Sequence, residues 1–262
     1  MTATVTRDDL RTNYSKLGTA LIERLYGDDF LSLSGEESSD RMIELAGISA
    51  GSRVLDVGSG VGGPALHLAE KTGCTITGVD IIEWNVEEAN NRSAARGLAG
   101  KAGFQVGDAT ALPFADASFD TVWSQDAWCH VPDKRLVITE AARVVKARGC
   151  VTFTDWVALA EMEPDYLAEV QSAVASPNFA SPTDYAGWLE TEGCTIIDQE
   201  DISHRFTARY RTMIANLKAM EAELTEQFSP RVFSIMLEKN GMILQAFEDG
   251  KLGGIQMVGR KA

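Results

Sequence analysis

Residues 54–63 read Val-Leu-Asp-Val-Gly-Ser-Gly-Val-Gly-Gly, an apolar run that ends in a glycine turn. Gly58, Gly60 and Gly63 fit G-x-G-x-x-G, in which glycines let the backbone turn sharply and approach a ligand closely. Pro64 follows, in the first turn of a helix where proline is favoured. The stretch predicts a strand over 53–57, a ligand-binding turn over 58–63 and a helix over 64–71.

Outward from this turn the pattern alternates. Short apolar runs at 75–79, 104–106, 121–124 and 151–154 predict strands, and 84–96 and 135–145 predict helices between them. Such alternation implies an α/β fold, a parallel sheet with helices on both faces. Runs at 195–198 and 255–258 continue the sheet. Upstream, residues 8–47 read as a helical segment. Leu21, Ile22 and Leu25, then Met42, Ile43 and Ala46, recur at helical spacing around a polar and aromatic break from Tyr26 to Ser39. Two segments interrupt the sheet, 158–181 and the mostly helical 205–250. Connections this long are usually functional, and a helical cap is expected over the strand carboxyl ends, where open α/β sheets bind ligands. The expected organisation is one domain: an N-terminal helical segment at 1–49, a core at 50–157, and cap insertions at 158–182 and 205–250.

The chain has 262 residues, 45% of them hydrophobic, enough for a sizeable core. Its formal net charge is -14, with no cluster of Lys and Arg to neutralise phosphates, so nucleic acid is not an expected partner. No apolar run approaches the roughly 20 residues that span a bilayer, so no membrane partner is expected. Residues 1–14 carry no apolar leader, and a cytoplasmic location is expected. Cys74, Cys129, Cys150 and Cys194 form no CxxC pair, which argues against a disulfide framework or a zinc site. Monomer and homo-oligomer both remain open.

The glycine pattern alone suits a nicotinamide, a flavin or a methyl donor. Three features separate them. Asp56 stands two residues before Gly58, at the strand end. A carboxylate there would repel a pyrophosphate but attract a sulfonium and an ammonium. Asp80 ends the second strand, 22 residues after Gly58, where a carboxylate can accept from ribose hydroxyls, a device that nicotinamide enzymes share and that does not itself discriminate. Gly107-Asp108-Ala109 follows the third strand, and Asp108 can accept from an adenine amino group. Taken singly, a strand-end Asp also serves as a turn former or helix cap.

This ordered set resembles the class I S-adenosylmethionine-dependent methyltransferases, in particular the ubiquinone/menaquinone and sarcosine/dimethylglycine types. The resemblance implies a Rossmann-like, seven-stranded, mostly parallel sheet with an antiparallel last strand. It also implies S-adenosylmethionine as cofactor, lying over Gly58, Ser59 and Gly60 beside Asp56. Asp80 and Ile81 would then stand at the ribose, Asp108 and Ala109 at the adenine, and Ser124 and Gln125 at the end of the fourth strand.

On the acceptor side, residues 123–133 read Trp-Ser-Gln-Asp-Ala-Trp-Cys-His-Val-Pro-Asp. If this stretch turns helically, Asp126 and His130 share a face, and the carboxylate can orient the imidazole to take a proton from an acceptor hydroxyl or amine. The alternative is that His130 only organises its loop. Trp123 to Lys134 looks especially like the sarcosine and dimethylglycine N-methyltransferases, which implies a small-molecule amine acceptor. Such an amino acid needs a cationic clamp, for which Arg205, Arg209 and Arg211 are candidates. Trp128, Tyr26, Trp156 and Tyr14 are candidates to face a quaternary ammonium. Met213, Met220, Met236 and Met242 could instead enclose a larger apolar acceptor. A pocket without Arg and lined with Met and Leu would favour an O- or C-methyltransferase acting on a natural product, sugar or isoprenoid. The rivals outside the class are a nicotinamide oxidoreductase, against which Asp56 and the Gly107–Ala109 loop argue, and a non-catalytic donor-binding protein.

Overall fold

The computed structural model describes residues 5–26 and 30–262. Gly27, Asp28 and Asp29, within the expected break, lie outside the described residues.

Seven strands form one sheet: β1 (Arg53–Val57), β2 (Thr75–Asp80), β3 (Ala102–Val106), β4 (Phe119–Gln125), β5 (Val145–Ala158), β6 (Cys194–Asp201) and β7 (Leu252–Lys261). Their order is β3-β2-β1-β4-β5-β7-β6. The β1–β2, β2–β3, β1–β4 and β4–β5 pairs are parallel. The last strand, β7, is antiparallel to both β5 and β6. This is the α/β sheet expected from the alternation, with the Rossmann-like form and antiparallel last strand that the resemblance implies. Strand β5 is much longer than the expected 151–154, because β4 and β7 pair with it along both edges.

Three helices precede the sheet: α1 (Arg7–Asn13), α2 (Lys16–Tyr26) and α3 (Gly35–Ala46). Helix α3 starts four residues before the expected end of the break. It follows Ser32 and Ser34 and contains the buried Ser38 and Ser39, and all four hydroxyls face polar partners rather than solvent. Within the sheet lie α4 (Gly63–Thr72), α5 (Glu83–Ala95), α6 (Lys134–Val144), α7 (Pro164–Val174) and α8 (Pro182–Thr191). Their starts are legible chemically. Asp133 caps α6 by accepting from Leu136 N at 2.9 Å, and Ser181 and Asp184 form a capping box on α8. The 205–250 connection is helical, as expected: α9 (Ser203–Ala219), α10 (Glu221–Gln227) and α11 (Pro230–Glu248).

Apolar residues bury in three clusters. One face of the sheet packs Val122, Val151 and Phe153 against Val137 and Ile138 of α6 and Tyr185 of α8. The other face packs Val54, Ile76 and Trp123 against Met42 of α3, Leu66 of α4 and Ala89 of α5. The third lies in the cap, where Leu25, Val170, Phe206, Tyr210 and Phe247 meet. The four cysteines are buried and free. Among the described residues, no helix is long and apolar enough to cross a membrane.

Gly78 of β2 shows how tightly the donor-side sheet is filled. A Cβ there would fall 2.2 Å from Cδ1 of Phe104 and 2.9 Å from Oγ of Ser59. Gly78→Ala is therefore expected to destabilise by about 1–3 kcal/mol, the usual cost of overpacking. A lower urea midpoint at unchanged slope would show it, and Phe104→Ala in the same chain should recover part of the loss.

Candidate active site

The glycine turn lies at the carboxyl end of β1. Gly58 sits at φ 86°, and a Cβ there would fall 2.5 Å from Cβ of Ala127, so only glycine fits. Gly60 is also left-handed, at φ 51°. Gly63, the third motif glycine, is instead the first residue of α4. The turn is tied to β2: Asp80 accepts from Gly60 N and from Ile82 N, each at 2.8 Å. Asp80 thus shapes the turn while it also lines the cavity beside it.

That cavity, of about 150 Å³, is lined by Gly58, Gly60, Asp80, Ile81, Asp108, Ala109, Gln125 and Asp126, among others. Arg7, Leu10 and Tyr14 roof it from the N-terminal helix. Arg7 pairs with Asp108 at 2.7 Å, and the other oxygen of Asp108 holds Thr110. These bonds keep the Asp108 carboxyl below its usual range, against the opposing effect of partial burial.

A smaller recess between the turn and Gln125 holds Asp56 and Ser59. Asp56 is buried, and its Oδ2 has no hydrogen-bond partner in the protein. Burial, with the nearby Asp80 carboxylate adding, pushes the Asp56 carboxyl up to about 8. The Ser59 hydroxyl is likewise buried and unpartnered. A buried unpaired carboxylate oxygen is costly, and a cationic group with N–H donors is the ligand chemistry that would relieve it.

Ser124 does not join this set. Its hydroxyl is fully buried and donates to Val57 O at 2.8 Å, which fastens β4 to β1 behind the cavity. Gln125, one residue on, alternates to the other face. Its amide is held by the Ser39 hydroxyl, Ser34 Oγ and Gly35 O.

A larger cavity, of about 310 Å³, opens under the cap. Its apolar wall includes Leu21, Ile22, Leu25, Met213, Met236 and Ile243. Its polar groups are Tyr14, Tyr26, Asp126, His130, Tyr210 and Asn240, with Thr12 and Asn13. No Lys or Arg lines it among the described residues. The three candidate arginines are engaged elsewhere. Arg205 pairs with Glu37 and Glu200, Arg211 with Glu248, and Arg209 donates to Ser32 O. Tyr14, Tyr26 and Trp156 do face the cavity, whereas Trp128 is buried in the sheet core and donates to Val57 O. Met213 and Met236 line it; Met220 and Met242 pack within the cap.

The expected Asp126–His130 pairing is not formed. Asp126 takes a left-handed conformation, φ 53°, and the following Trp128–His130 turn is 3-10, so the two side chains leave in different directions. The Asp126 carboxylate accepts from Ser32 Oγ at 2.7 Å, Ser34 N at 3.0 Å and Thr154 Oγ1 at 2.6 Å. Burial raises its pKa, and these bonds oppose the rise. His130 has other partners. Its Nδ1 lies 3.0 Å from Ala175 O, and its Nε2 2.9 Å from the Tyr14 hydroxyl. A carbonyl can only accept, so Nδ1 carries the proton and Nε2 accepts from Tyr14. Burial holds the imidazolium pKa down at about 4, so the ring is neutral at ordinary pH. Tyr14 stands 116 residues from His130, and no pattern in the sequence marks the pair. Ser32 and Ser34 are equally silent there.

Tyr14, Asp126, His130 and Leu31 line both cavities. The two spaces meet at these side chains.

Known proteins match this arrangement. The methyltransferase domain family model matches residues 55–153. Sarcosine/dimethylglycine N-methyltransferase of Halorhodospira halochloris is 30% identical over 223 residues, 83% of this chain and 78% of the relative. The 27-O-demethylrifamycin SV methyltransferase of Amycolatopsis mediterranei is 29% identical over 258 residues, 92% and 93% of the two chains. Two other curated relatives match at 33% identity, and there the chain spans 65% and 34% of the relatives' lengths. Among solved structures, a phosphoethanolamine N-methyltransferase of Haemonchus contortus superposes with a TM-score of 0.86 at 23% identity, over 97% of this chain and 60% of that one, and so shares the fold. With a 30% identical relative matched across more than three quarters of both sequences, and the domain model laid from β1 into β5, the chain belongs to the S-adenosylmethionine-dependent methyltransferases.

Proposed function

We propose that the protein transfers a methyl group from S-adenosylmethionine, held in the smaller cavity, to a hydroxyl on an apolar small molecule held in the larger one. The observation that carries this reading is that Tyr14, Asp126 and His130 line both cavities, so one cluster of side chains touches both reactants.

On the donor side, the unpartnered Asp56 oxygen and the Ser59 hydroxyl fit an amino-acid ammonium. Asp80 and Ile81 stand where a ribose would lie, Asp108 and Ala109 where an adenine would, and Gly58, Gly60 and Gln125 form the floor. Bound there, the donor supplies a methyl group on a sulfonium. The Asp126 carboxylate at the junction favours positive charge nearby.

On the acceptor side, the wall is largely apolar, and among the described residues no Lys or Arg lines it. A free amino-acid carboxylate would find no counter-ion there. An apolar body with a hydroxyl at the junction suits the cavity better, and the rifamycin methyltransferase is a relative whose name carries an oxygen target. The proton has a path. Tyr14 Oη can accept it from the acceptor while the phenolic proton passes to His130 Nε2, and Ala175 O holds the imidazole in the required tautomer. An oxygen gaining a methyl becomes far more acidic than an imidazolium, so a weakly basic His130 suffices.

A second reading, methylation of an amine nitrogen, is favoured by Asp126 together with the rings of Tyr14, Tyr26, Trp156 and Tyr210 around the cavity, which suit a cationic amine. The sarcosine/dimethylglycine relative supports it.

Incubation with methyl-labelled donor and a panel decides between them. Label in apolar alcohols and phenols supports the oxygen reading; label in sarcosine or dimethylglycine replaces it. Tyr14→Phe is expected to lower kcat roughly 10²-fold, the scale of a lost proton-transfer group, with donor affinity little changed. His130 should keep wild-type kcat constant down through the ordinary histidine range, because a base near 4 stays neutral until the pH approaches that value.

Donor binding should also move a proton. In the free protein at pH 7 Asp56 lies below its raised pKa of about 8 and is mostly protonated. Pairing with an ammonium requires the ionised form, so binding should release close to one proton. Calorimetry in buffers of different ionisation enthalpy measures this. Asp56→Asn should abolish the release and weaken the donor roughly 10- to 100-fold, the loss of one charge-assisted hydrogen bond. Binding without proton release by the wild type would remove Asp56 from the donor site.

A further inference from the structure

Lys134 is almost completely buried, 2% exposed, at the start of α6 and behind His130. Its ammonium lies within hydrogen-bond distance of four oxygens that share its three donors: Cys129 O at 3.1 Å, Val131 O at 2.9 Å, Asn178 O at 2.8 Å and Asn178 Oδ1 at 2.6 Å. All four are neutral. Cys129 and Val131 are the residues on either side of His130. Asn178 belongs to the loop after α7, the same loop whose Ala175 carbonyl holds His130 Nδ1. One ammonium therefore joins the loop that carries His130 to the loop that holds its Nδ1.

The surrounding bonds repeat the pattern. Ser176 Oγ reaches Cys129 O at 2.7 Å and Asn178 O at 2.6 Å. Asn178 Nδ2 donates to Pro132 O at 2.8 Å. Asp155 accepts from Cys129 N at 3.0 Å, and its other oxygen is taken by the Tyr185 hydroxyl. The peptide group at Cys129 is thus held at its N–H by Asp155 and, through its carbonyl, by Lys134 and Ser176. Burial pulls the Lys134 pKa down and the Asp155 carboxylate opposes this. An aliphatic side chain of similar length would avoid the desolvation of a buried charge. What it would lack is the ability to hold several carbonyls at once, since an ammonium is a point charge with three donors.

We infer that Lys134 is a positioning residue for the proton path: it staples the 128–132 loop to the 175–178 loop and so locks His130 in its Nδ1-protonated tautomer with Nε2 aimed at Tyr14. The inference rests on the proposed role of His130, and the test keeps the two separable.

The chain has three histidines, so imidazole resonances of the full-length protein labelled with ¹⁵N-histidine can be assigned by single substitutions. At pH 7 wild-type His130 should show one tautomer, Nδ1 protonated and Nε2 bare. Lys134→Met should give a mixture of tautomers. It should also lower kcat about 10- to 100-fold on any acceptor the wild type methylates, the scale of a misplaced catalytic group, with donor affinity unchanged. Asn178→Ala removes one acceptor of the ammonium and the bond to Pro132 at a part-buried site, and should produce a smaller shift in the same direction. If Lys134→Met does not fold, Asn178→Ala carries the test. A folded variant whose His130 keeps the wild-type tautomer overturns the inference and leaves the proton path untouched. A mixed tautomer with unchanged kcat supports the staple and removes His130 from the reaction.

Discussion

Burying a carboxylate is costly unless donors surround it, and Asp126 is buried at the point where the two cavities meet. Satisfying it requires Ser32 and Ser34 from the segment before α3, and Thr154 from the middle of β5. Those contacts bring the helical prefix against the sheet at the carboxyl end of the parallel strands. The same contacts set Leu31 and Leu33 against the larger cavity and bring Gln125 under Ser34 and Gly35. The site is therefore built around one anion, with the N-terminal segment wrapped onto it by hydroxyl and amide donors.

Much of the sheet was readable from short-range pattern. The β1 strand, its glycine turn and α4 are encoded within the consecutive residues 53–72, and β2 follows at once. The clustering of the expected site residues was readable for a related reason: each lies at or just past the end of its own strand, so topology brings Asp56, Asp80, Asp108 and Gln125 to one edge. What escaped lies in contacts between distant segments. The Tyr14–His130 bond and the Ser32–Asp126 bond join positions more than ninety residues apart and depend on how the prefix lies across the sheet. Ser124 and Asp126 show the limit within a motif. The first alternates behind the sheet, and the second enters a left-handed conformation that breaks helical spacing.

The cap arginines illustrate the same limit in charge. Arg205, Arg209 and Arg211 lie on one helix, yet their partners are Glu37, Glu200, Glu248 and the Ser32 carbonyl, none of them in the cavity. In a chain of net charge -14, cations meet carboxylates readily, and a guanidinium that could have served a ligand is more easily drawn to a surface acid. The larger cavity keeps aliphatic and aromatic walls with neutral polar groups among them, and Asp126 stands at its junction with the smaller one.

The roof of the smaller cavity carries one consequence. Helix α1 contributes Arg7 and Leu10 over that cavity, and it ends at Tyr14, the partner of His130. Cover of that cavity and the Tyr14–His130 contact therefore depend on the placement of one short helix, so a displacement of α1 that uncovers the cavity also parts the phenol from the imidazole.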